Sequence, residues 1–180
     1  IDAHYFSADN RWVVDGQVMH SDVQGIAGTG GFADVSFRPQ RGVQHTLRST
    51  YIDDTLDIND LGFLTRNDQM NMDYNYSRTE SDVPGLRERS TSMFFTNQWN
   101  TAGQPVRMGL FFNRSYTSLE NNKFDYSFRY FPERIDDRLG RGTGDFRVQG
   151  RWGANFGYST NRAESIAYNV NLNLDQDELG

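Results

Sequence analysis

The residues of this sequence that could do chemistry are mainly carboxylates, and the densest group lies in the segment 53–60. Four aspartates and one asparagine there offer the oxygen ligands that Ca²⁺ prefers, of which it takes about 6 to 8: Asp53, Asp54, Asp57, Asn59 and Asp60. The segment lacks the Asp-x-Asp-x-Asp-Gly spacing and the later Glu of a calcium-binding loop. We therefore expect a solvated loop with local hydrogen bonds, in which Arg66 pairs with one of the carboxylates.

No other group of residues has the spacing of a catalytic or cofactor site. The glycine-rich segment 140–144 resembles a phosphate-binding loop only superficially, because it has no lysine and no following helix pattern. The three histidines are scattered, and no Gly-x-Ser-x-Gly nucleophile motif occurs. The charged residues of 134–141 are expected to form a hydrated loop. We predict no catalytic residue, no metal site and no cofactor, and hence no enzyme.

The composition favours a β-protein with two kinds of surface. The chain has 180 residues and a net charge of -6, from 24 acidic and 18 basic residues, which argues against nucleic-acid binding. Aromatic residues make up 14% although the mean hydropathy is -0.74, which fits strands whose alternate residues face lipid and water. No apolar run approaches the roughly 20 residues of a membrane-spanning helix. The absence of cysteine excludes disulfides and thiolate metal sites.

Apolar and polar residues alternate with a period of two along most of the chain. The segments 70–76, 124–130 and 166–174 show it clearly, and a further strand is predicted over 146–158. Long loops are predicted over 51–67 and 132–144. In the strand that includes Phe111 and Phe112, Arg114 falls on the apolar parity. This predicts either a β-bulge near the two phenylalanines or a strand end at the lipid headgroups.

These patterns predict an all-β fold with almost no helix. We expect an antiparallel up-and-down transmembrane β-barrel, or a contiguous part of a larger one, with roughly nine or ten strands. In such a barrel opposite charges pair in the hydrated lumen, and six residues are candidates to line it: Asp15, Arg107, Asp125, Arg129, Arg147 and Arg151. Rings near strand ends are candidates for the interfacial girdles: Tyr51, Trp99, Tyr116, Tyr130 and Tyr158.

The segment 51–67 also carries a motif. A strand ends in an acidic pair, a loop follows, and the chain continues through a Gly-Phe-Leu-Thr-Arg turn, so that the marker residues are Asp53, Asp54, Gly62, Phe63 and Arg66. This motif resembles that of a bacterial outer-membrane barrel family, the domain-of-unknown-function family 5916. The resemblance implies the bacterial outer membrane as the location and the lipid bilayer as the partner, and the family has no established catalytic residues to carry over.

Members of that family usually carry a signal peptide and a module resembling family-9 carbohydrate-binding domains ahead of the barrel. Any carbohydrate would then be bound by a module outside this chain. We expect residues 1–180 to form a single barrel segment, a fragment of a longer protein.

Three functional hypotheses follow. The first is a non-enzymatic outer-membrane barrel segment that acts as a channel, or as the membrane anchor of a surface or periplasmic carbohydrate-related module. The alternative is a soluble β-sandwich or jelly-roll module that binds glycans on Trp12, Trp99 or Trp152. A hydrolase is a third hypothesis, and it rests only on scattered acidic residues.

Overall fold

A computed structural model gives the fold and describes residues 1–58, 66–81, 83–136 and 146–176. These residues form twelve β-strands and no helix. The strands are β1 (Asp2–Phe6), β2 (Trp12–Val23), β3 (Ile26–Phe37), β4 (Val43–Ile52), β5 (Gln69–Glu80), β6 (Leu86–Trp99), β7 (Pro105–Ser118), β8 (Lys123–Phe131), β9 (Arg134–Asp136), β10 (Phe146–Val148), β11 (Arg151–Ser159) and β12 (Asn169–Gln176). Within these ranges, no helix is long and apolar enough to cross a membrane.

Ten of the strands form one antiparallel sheet in which neighbours in space are neighbours along the chain. The order runs from β1 to β8 and then to β11 and β12, because β9 and β10 form a separate two-stranded sheet. This arrangement confirms the predicted all-β antiparallel fold with nine or ten strands. The sheet is open. Its edges are β1 and β12, which do not pair with each other in the described part of the chain.

The hairpin between β2 and β3 shows how local sequence sets the meander. Gln24 and Gly25 form a two-residue turn between the paired residues Val23 and Ile26, with φ angles of 56° and 80°. Positive φ at both central positions is the type I′ geometry, whose twist matches that of the flanking strands. Asp22 Oδ1 also accepts a hydrogen bond from the Gly25 N–H at 3.1 Å. Glycine at the second turn position adopts this backbone conformation without strain.

Several boundaries differ from the sequence-based prediction. The single strand predicted over 146–158 is two strands, because β10 pairs with β9 and β11 begins only at Arg151. Between them Gly150 passes close to the Phe131 carbonyl oxygen, which an added Cβ would approach to 3.2 Å. The loop predicted over 132–144 contains β9. The last strand begins at Asn169, because Tyr168 closes the preceding loop by accepting a hydrogen bond from the Thr160 N–H at 3.0 Å.

Arg114 keeps its place on the apolar side of β7. The register between β6 and β7 is continuous through Phe111 and Phe112, so the first of the two predicted alternatives, a bulge near these residues, is wrong. The two irregularities lie at the ends of this pairing instead: Arg87 is an extra residue between Leu86 and Glu88 of β6, and Val106 is an extra, buried residue between Pro105 and Arg107 of β7. The Arg114 guanidinium lies 5.3 Å from the centroid of the Tyr116 ring.

The registers divide the ten-stranded sheet into two faces of opposite character, because directly paired residues point to the same side. One row of paired residues crosses nine strands and is almost wholly apolar: Tyr5, Val14, Val35, Leu47, Tyr74, Phe95, Leu110, Tyr130 and Trp152. We call this side the apolar face. The residues between its members in sequence form the polar face. The alternation predicted for 70–76 and 124–130 is confirmed.

The sheet has almost no conventional core. Among the described residues, only three hydrophobic side chains are buried, namely Ile52, Leu56 and Val106. Large side chains of the apolar face are instead exposed, including Val18 at 62%, Val170 at 61% and Leu172 at 54%. In the described ranges no second sheet packs on this face. Among the described residues, the apolar face therefore has no second layer of the kind that a soluble sheet uses to bury such side chains.

The loop that follows β4 returns over the polar face of β3. Leu56 lies against Gly28 and Gly30 and is 2% exposed. An added Cβ on Gly28 would lie 2.6 Å from the Thr55 carbonyl carbon, so only glycine leaves room for the loop backbone. Full burial of a leucine side chain contributes roughly 1.5–3 kcal/mol. The loop is thus held by the most deeply buried hydrophobic side chain of the described chain.

Candidate functional site

The polar face carries a row of charged residues across five adjacent strands. Its paired members are His4, Asp15, Asp34, Arg48 and Asp73. His4 Nδ1 contacts Asp15 Oδ1, and Arg48 Nε lies 3.1 Å from Asp34 Oδ2. The Asp73 carboxylate accepts a hydrogen bond from Asn71 Nδ2 at 2.9 Å, while its Oδ1 is buried without a partner. Cross-strand pairs therefore join β1 to β2 and β3 to β4 on this face, whereas Asp73 has no ion pair among the described residues.

Five of the six residues predicted to line a lumen lie on the polar face: Asp15, Arg107, Asp125, Arg129 and Arg151. The structure does not bring all five into one cluster, but Arg107 and Arg151 line one cavity, and Arg129 and Arg151 line another. Asp125 lies 3.8 Å from Lys123 Nζ, and Arg129 pairs with Asp175.

Arg147 lies elsewhere, contrary to the single strand predicted over 146–158. It is on β10, outside the ten-stranded sheet, and its Nε lies 2.8 Å from Glu133 Oε1. Its side chain is 77% exposed. One continuous strand through Gly150 would place Arg147 in line with Arg151, and the break at that glycine separates the two.

The ion pair between Arg129 and Asp175 passes over a glycine. Arg129 is on β8 and Asp175 is on β12, with β11 between them, and Gly153 pairs directly with both residues. An added Cβ on Gly153 would lie 2.6 Å from Arg129 Nε. The absence of a side chain at Gly153 therefore lets the two charges meet across an intervening strand.

Substitution Gly153→Ala should break this ion pair with little loss of stability. Both partners are about half exposed, and exposed pairs contribute about 0–1 kcal/mol. A double-mutant cycle of Arg129→Gln and Asp175→Asn should give a measurable coupling energy in the wild-type background and none in the Gly153→Ala background. Gly157→Ala is the control, because its Cβ would approach Asp125 at 2.7 Å and not the pair. An unchanged coupling in the Gly153→Ala background would contradict this account.

The loop after β4 is fixed to β3 mainly through one carboxylate. Asp53 Oδ2 accepts hydrogen bonds from the Thr29 N–H at 2.6 Å and the Thr29 hydroxyl at 2.9 Å. Asp53 Oδ1 accepts two more from Thr55, each at 3.1 Å, and the Thr55 hydroxyl also lies 2.8 Å from the Ala27 carbonyl oxygen. Burial raises the pKa of Asp53, but the hydrogen bonds from Thr29 and Thr55 outweigh it and hold the pKa below the ordinary value of 3.8.

This carboxylate makes the loop anchor sensitive to acid. Because the folded-state pKa of Asp53 is depressed, its contribution to stability is present above the unfolded pKa and is lost as the pH falls through the lower folded value. The difference in unfolding free energy between wild type and Asp53→Asn should be constant above about pH 5 and should shrink below about pH 4. Urea titrations across this pH range measure it. Asp54→Asn is the control, since the described residues give that side chain no hydrogen bond, and an equal pH dependence in both variants would contradict the prediction.

The remaining loop markers have different outcomes. Gly62 and Phe63 lie outside the described residues. The Asp54 carbonyl oxygen accepts a hydrogen bond from Asn67 Nδ2 at 2.7 Å. Arg66 is half-buried at the end of the loop, and its pairing with a loop carboxylate stays a prediction. Among the described residues, no group of three or more His, Cys, Asp or Glu side chains is arranged to hold a metal ion.

Cavities open on the polar face beside these charges. One of about 390 Å³ is lined by Thr50, Arg66, Gln69, Asn71, Asp73, Phe94, Thr96, Gln98 and Arg107. A second of about 580 Å³ shares Arg66, Gln98 and Arg107 with it and extends to β8, β9 and β11. The polar face is therefore recessed where the arginines of several strands converge.

Sequence reasoning does not single out several residues of this face. Asp34, Arg48 and Asp73 have the polar parity of their strands, but the register that aligns them is not visible in the sequence. Arg134 is predicted to lie in a hydrated loop, whereas it lies on β9 and lines the larger cavity. The short alternation of 134–136 is the only available signal for it.

Comparison with known proteins gives a family assignment and no homologue of established function. The family model described as Domain of unknown function (DUF5916) matches residues 1–178. No curated protein and no solved structure gives a significant match.

Proposed function

Because the chain belongs to the family described as Domain of unknown function (DUF5916), whose description assigns no activity, we propose a role from the two faces of its sheet. The chain is a wall segment of a bacterial outer-membrane β-barrel, with its apolar face toward lipid and its polar face toward a hydrated lumen. It acts as a channel and not as an enzyme. A role as membrane anchor for a carbohydrate-related module rests only on the family resemblance, which implies such a module ahead of the barrel.

One observation carries the proposal: a ten-stranded sheet exposes large hydrophobic side chains on one face and pairs charges on the other. A soluble protein rarely exposes a contiguous apolar patch larger than a few hundred Å². Here the apolar face extends over the whole sheet, with exposed members from Tyr5 on β1 to Leu174 on β12. The polar face carries ion pairs and cavities, as the interior of a barrel channel does.

Strand length supports the same proposal. A tilted strand crosses a bilayer with about 9–11 residues. In this sheet β2, β3 and β5 have 12 residues each, and β6 and β7 have 14. These strands are long enough to cross the hydrocarbon and to reach beyond it.

The apolar face also becomes charged toward one end. Arg78, Glu80, Arg89 and Arg114 lie on this face near the ends of β5, β6 and β7 that lead to short turns. Glu80 accepts hydrogen bonds from Arg78 at 2.6 Å and from Arg89 at 2.8 Å. In the proposed orientation this cluster lies at the lipid headgroups. That position agrees with the second alternative predicted for Arg114, a strand end at the headgroups.

Cysteine labelling along one strand tests the proposal, because residues 1–180 contain no cysteine and any cysteine elsewhere in the complete protein can first be replaced by serine. Single cysteines would replace the consecutive residues 125–128 of β8 in the complete protein, reconstituted in lipid vesicles. Asp125 and Ser127 are on the polar face and should react with a membrane-impermeant thiol reagent, while Tyr126 and Phe128 should be protected. Urea-denatured protein gives the fully reactive reference for each site.

The soluble glycan-binding alternative makes the opposite prediction. Trp12, Trp99 and Trp152 all lie on the apolar face, and Trp12 stacks on Phe37 with ring centroids 4.1 Å apart. A glycan platform there must be open to water. Equal labelling of neighbouring positions on both faces of β8, in protein that does not sediment with vesicles, would favour this alternative and exclude the barrel wall.

A further inference from the structure

Four arginines from four different elements converge on the larger cavity of the polar face. Arg66 precedes β5, Arg107 is on β7, Arg134 is on β9 and Arg151 begins β11. They are far apart in sequence, so the fold and not a local motif brings them together. The short hairpin of β9 and β10 contributes directly, because β9 contacts β7 and places Arg134 at the cavity.

The charge of this cavity is opposite to that of the chain. The whole chain has a net charge of -6, yet Asp136 is the one carboxylate that faces the four guanidinium groups among the described lining residues. Arginines elsewhere on the polar face are paired, as Arg48 is with Asp34. In the described ranges neither Arg107 nor Arg151 forms an ion pair. Counted over its described lining residues, the cavity is therefore a local concentration of positive charge on an acidic protein.

Two aromatic rings give the same cavity an apolar wall. Phe111 and Phe131 meet edge to face, with centroids 5.2 Å apart and an interplanar angle of 85°. The Arg151 guanidinium carbon lies 4.8 Å from the centroid of Phe131. Gly109 leaves room for both rings, since an added Cβ would approach the Phe131 ring to 3.3 Å. Stacking on Phe131 orients Arg151 so that its edge can donate hydrogen bonds into the cavity.

We propose that this cavity binds an organic anion in which a carboxylate or phosphate group is attached to a body with an apolar face. Guanidinium groups donate paired hydrogen bonds that match the geometry of both oxyanions. The phenylalanine rings contact the apolar body, and the volume of about 580 Å³ accommodates a small organic molecule. This site goes beyond the proposed channel role and depends on the polar face alone, whether or not the sheet spans a membrane.

Binding to the complete protein in detergent micelles tests the proposal without requiring a bilayer. The probes are phenyl phosphate and benzoate. Inorganic phosphate, which lacks the apolar body, and benzyl alcohol, which lacks the charge, are the controls. Phenyl phosphate or benzoate should bind more tightly than either control in isothermal titration. Arg107→Gln and Arg151→Gln should each weaken binding about tenfold or more, as expected for the loss of charge-assisted hydrogen bonds.

Arg48→Gln is the matched control, because it removes a paired arginine of the same face outside this cavity and should leave the affinity unchanged. Circular dichroism confirms that each variant keeps its β-structure, and Arg107→Lys, which keeps the charge but loses the planar fork, should bind with intermediate affinity. Absence of probe binding to the wild type, equal affinity for inorganic phosphate, or equal weakening by Arg48→Gln would overturn the site. None of these results depends on the labelling of β8, so this proposal and the barrel proposal fail separately.

Discussion

Arginine at Phe128 should destabilise the protein in lipid by about 2–4 kcal/mol, the cost of that side chain near the middle of a bilayer. Phe128 lies on the apolar face between Phe112 and Ala154 of the neighbouring strands. It is 40% exposed and faces Trp152, with ring centroids 6.4 Å apart. In water, a surface substitution of this kind is usually within about ±0.5 kcal/mol, so the two environments predict effects that differ several-fold.

The control for this experiment is the preceding residue. Ser127→Arg introduces the same charge one position away, between Asn113 and Asn155 on the polar face, and should be tolerated. Urea titration of folding into lipid vesicles gives the free energy for both variants, and the same titration in detergent-free buffer gives the aqueous reference. Equal effects of the two substitutions would show that the faces do not differ in environment. Val170→Arg on β12 repeats the test at a second, 61% exposed position of the apolar face.

Alanine at Gly28 should release the loop that follows β4. The added Cβ would collide with the Leu56 and Thr55 backbone, and backbone atoms cannot relieve the collision by a change of rotamer. The loop must then lift from β3, which exposes Leu56 and breaks the hydrogen bond from Thr55 to the Ala27 carbonyl oxygen. Loss of the leucine burial alone costs roughly 1.5–3 kcal/mol.

Limited proteolysis and urea unfolding measure this release. Cleavage within 53–58 should become much faster in Gly28→Ala, and the unfolding free energy should fall. Gly16→Ala is the control on the adjacent strand, because its Cβ would meet only the Phe32 carbonyl oxygen at 3.4 Å, an ordinary contact. If Leu56→Ala and Gly28→Ala each accelerate cleavage while Gly16→Ala does not, the anchoring is established. Unchanged cleavage in Gly28→Ala would contradict it.

Much of this fold could be predicted from the sequence because a strand repeats every two residues. The parity of 124–130 alone assigns Phe128 to one face and Ser127 to the other, and the register between strands confirms both. Parity fails where pairing ends. No local feature of the sequence separates the strand that begins at Phe146 from the strand that begins at Arg151. The break between them lies at Gly150, which is close to Phe131 of another strand.

The candidate sites were less predictable than the fold. The ion pair of Arg129 with Asp175 joins residues 46 positions apart, and it needs both a strand register and a glycine between the partners. The cavity of the four arginines needs β9 to contact β7, which periodicity cannot reveal. The anchoring of Leu56 depends on the Gly28 and Gly30 backbone, and nothing in the sequence shows that the loop crosses those glycines.

The open edges of the sheet restrict what can complete it. Every strand of the ten-stranded meander is antiparallel to its neighbours, so the first and the tenth run in opposite directions. Hydrocarbon does not tolerate unpaired backbone groups, so a sheet placed in a bilayer must have partners at both edges. If β1 and β12 join directly, or through an even number of further strands, all pairing stays antiparallel. An odd number would force one parallel contact. An entirely antiparallel barrel that contains this sheet must therefore have an even total number of strands.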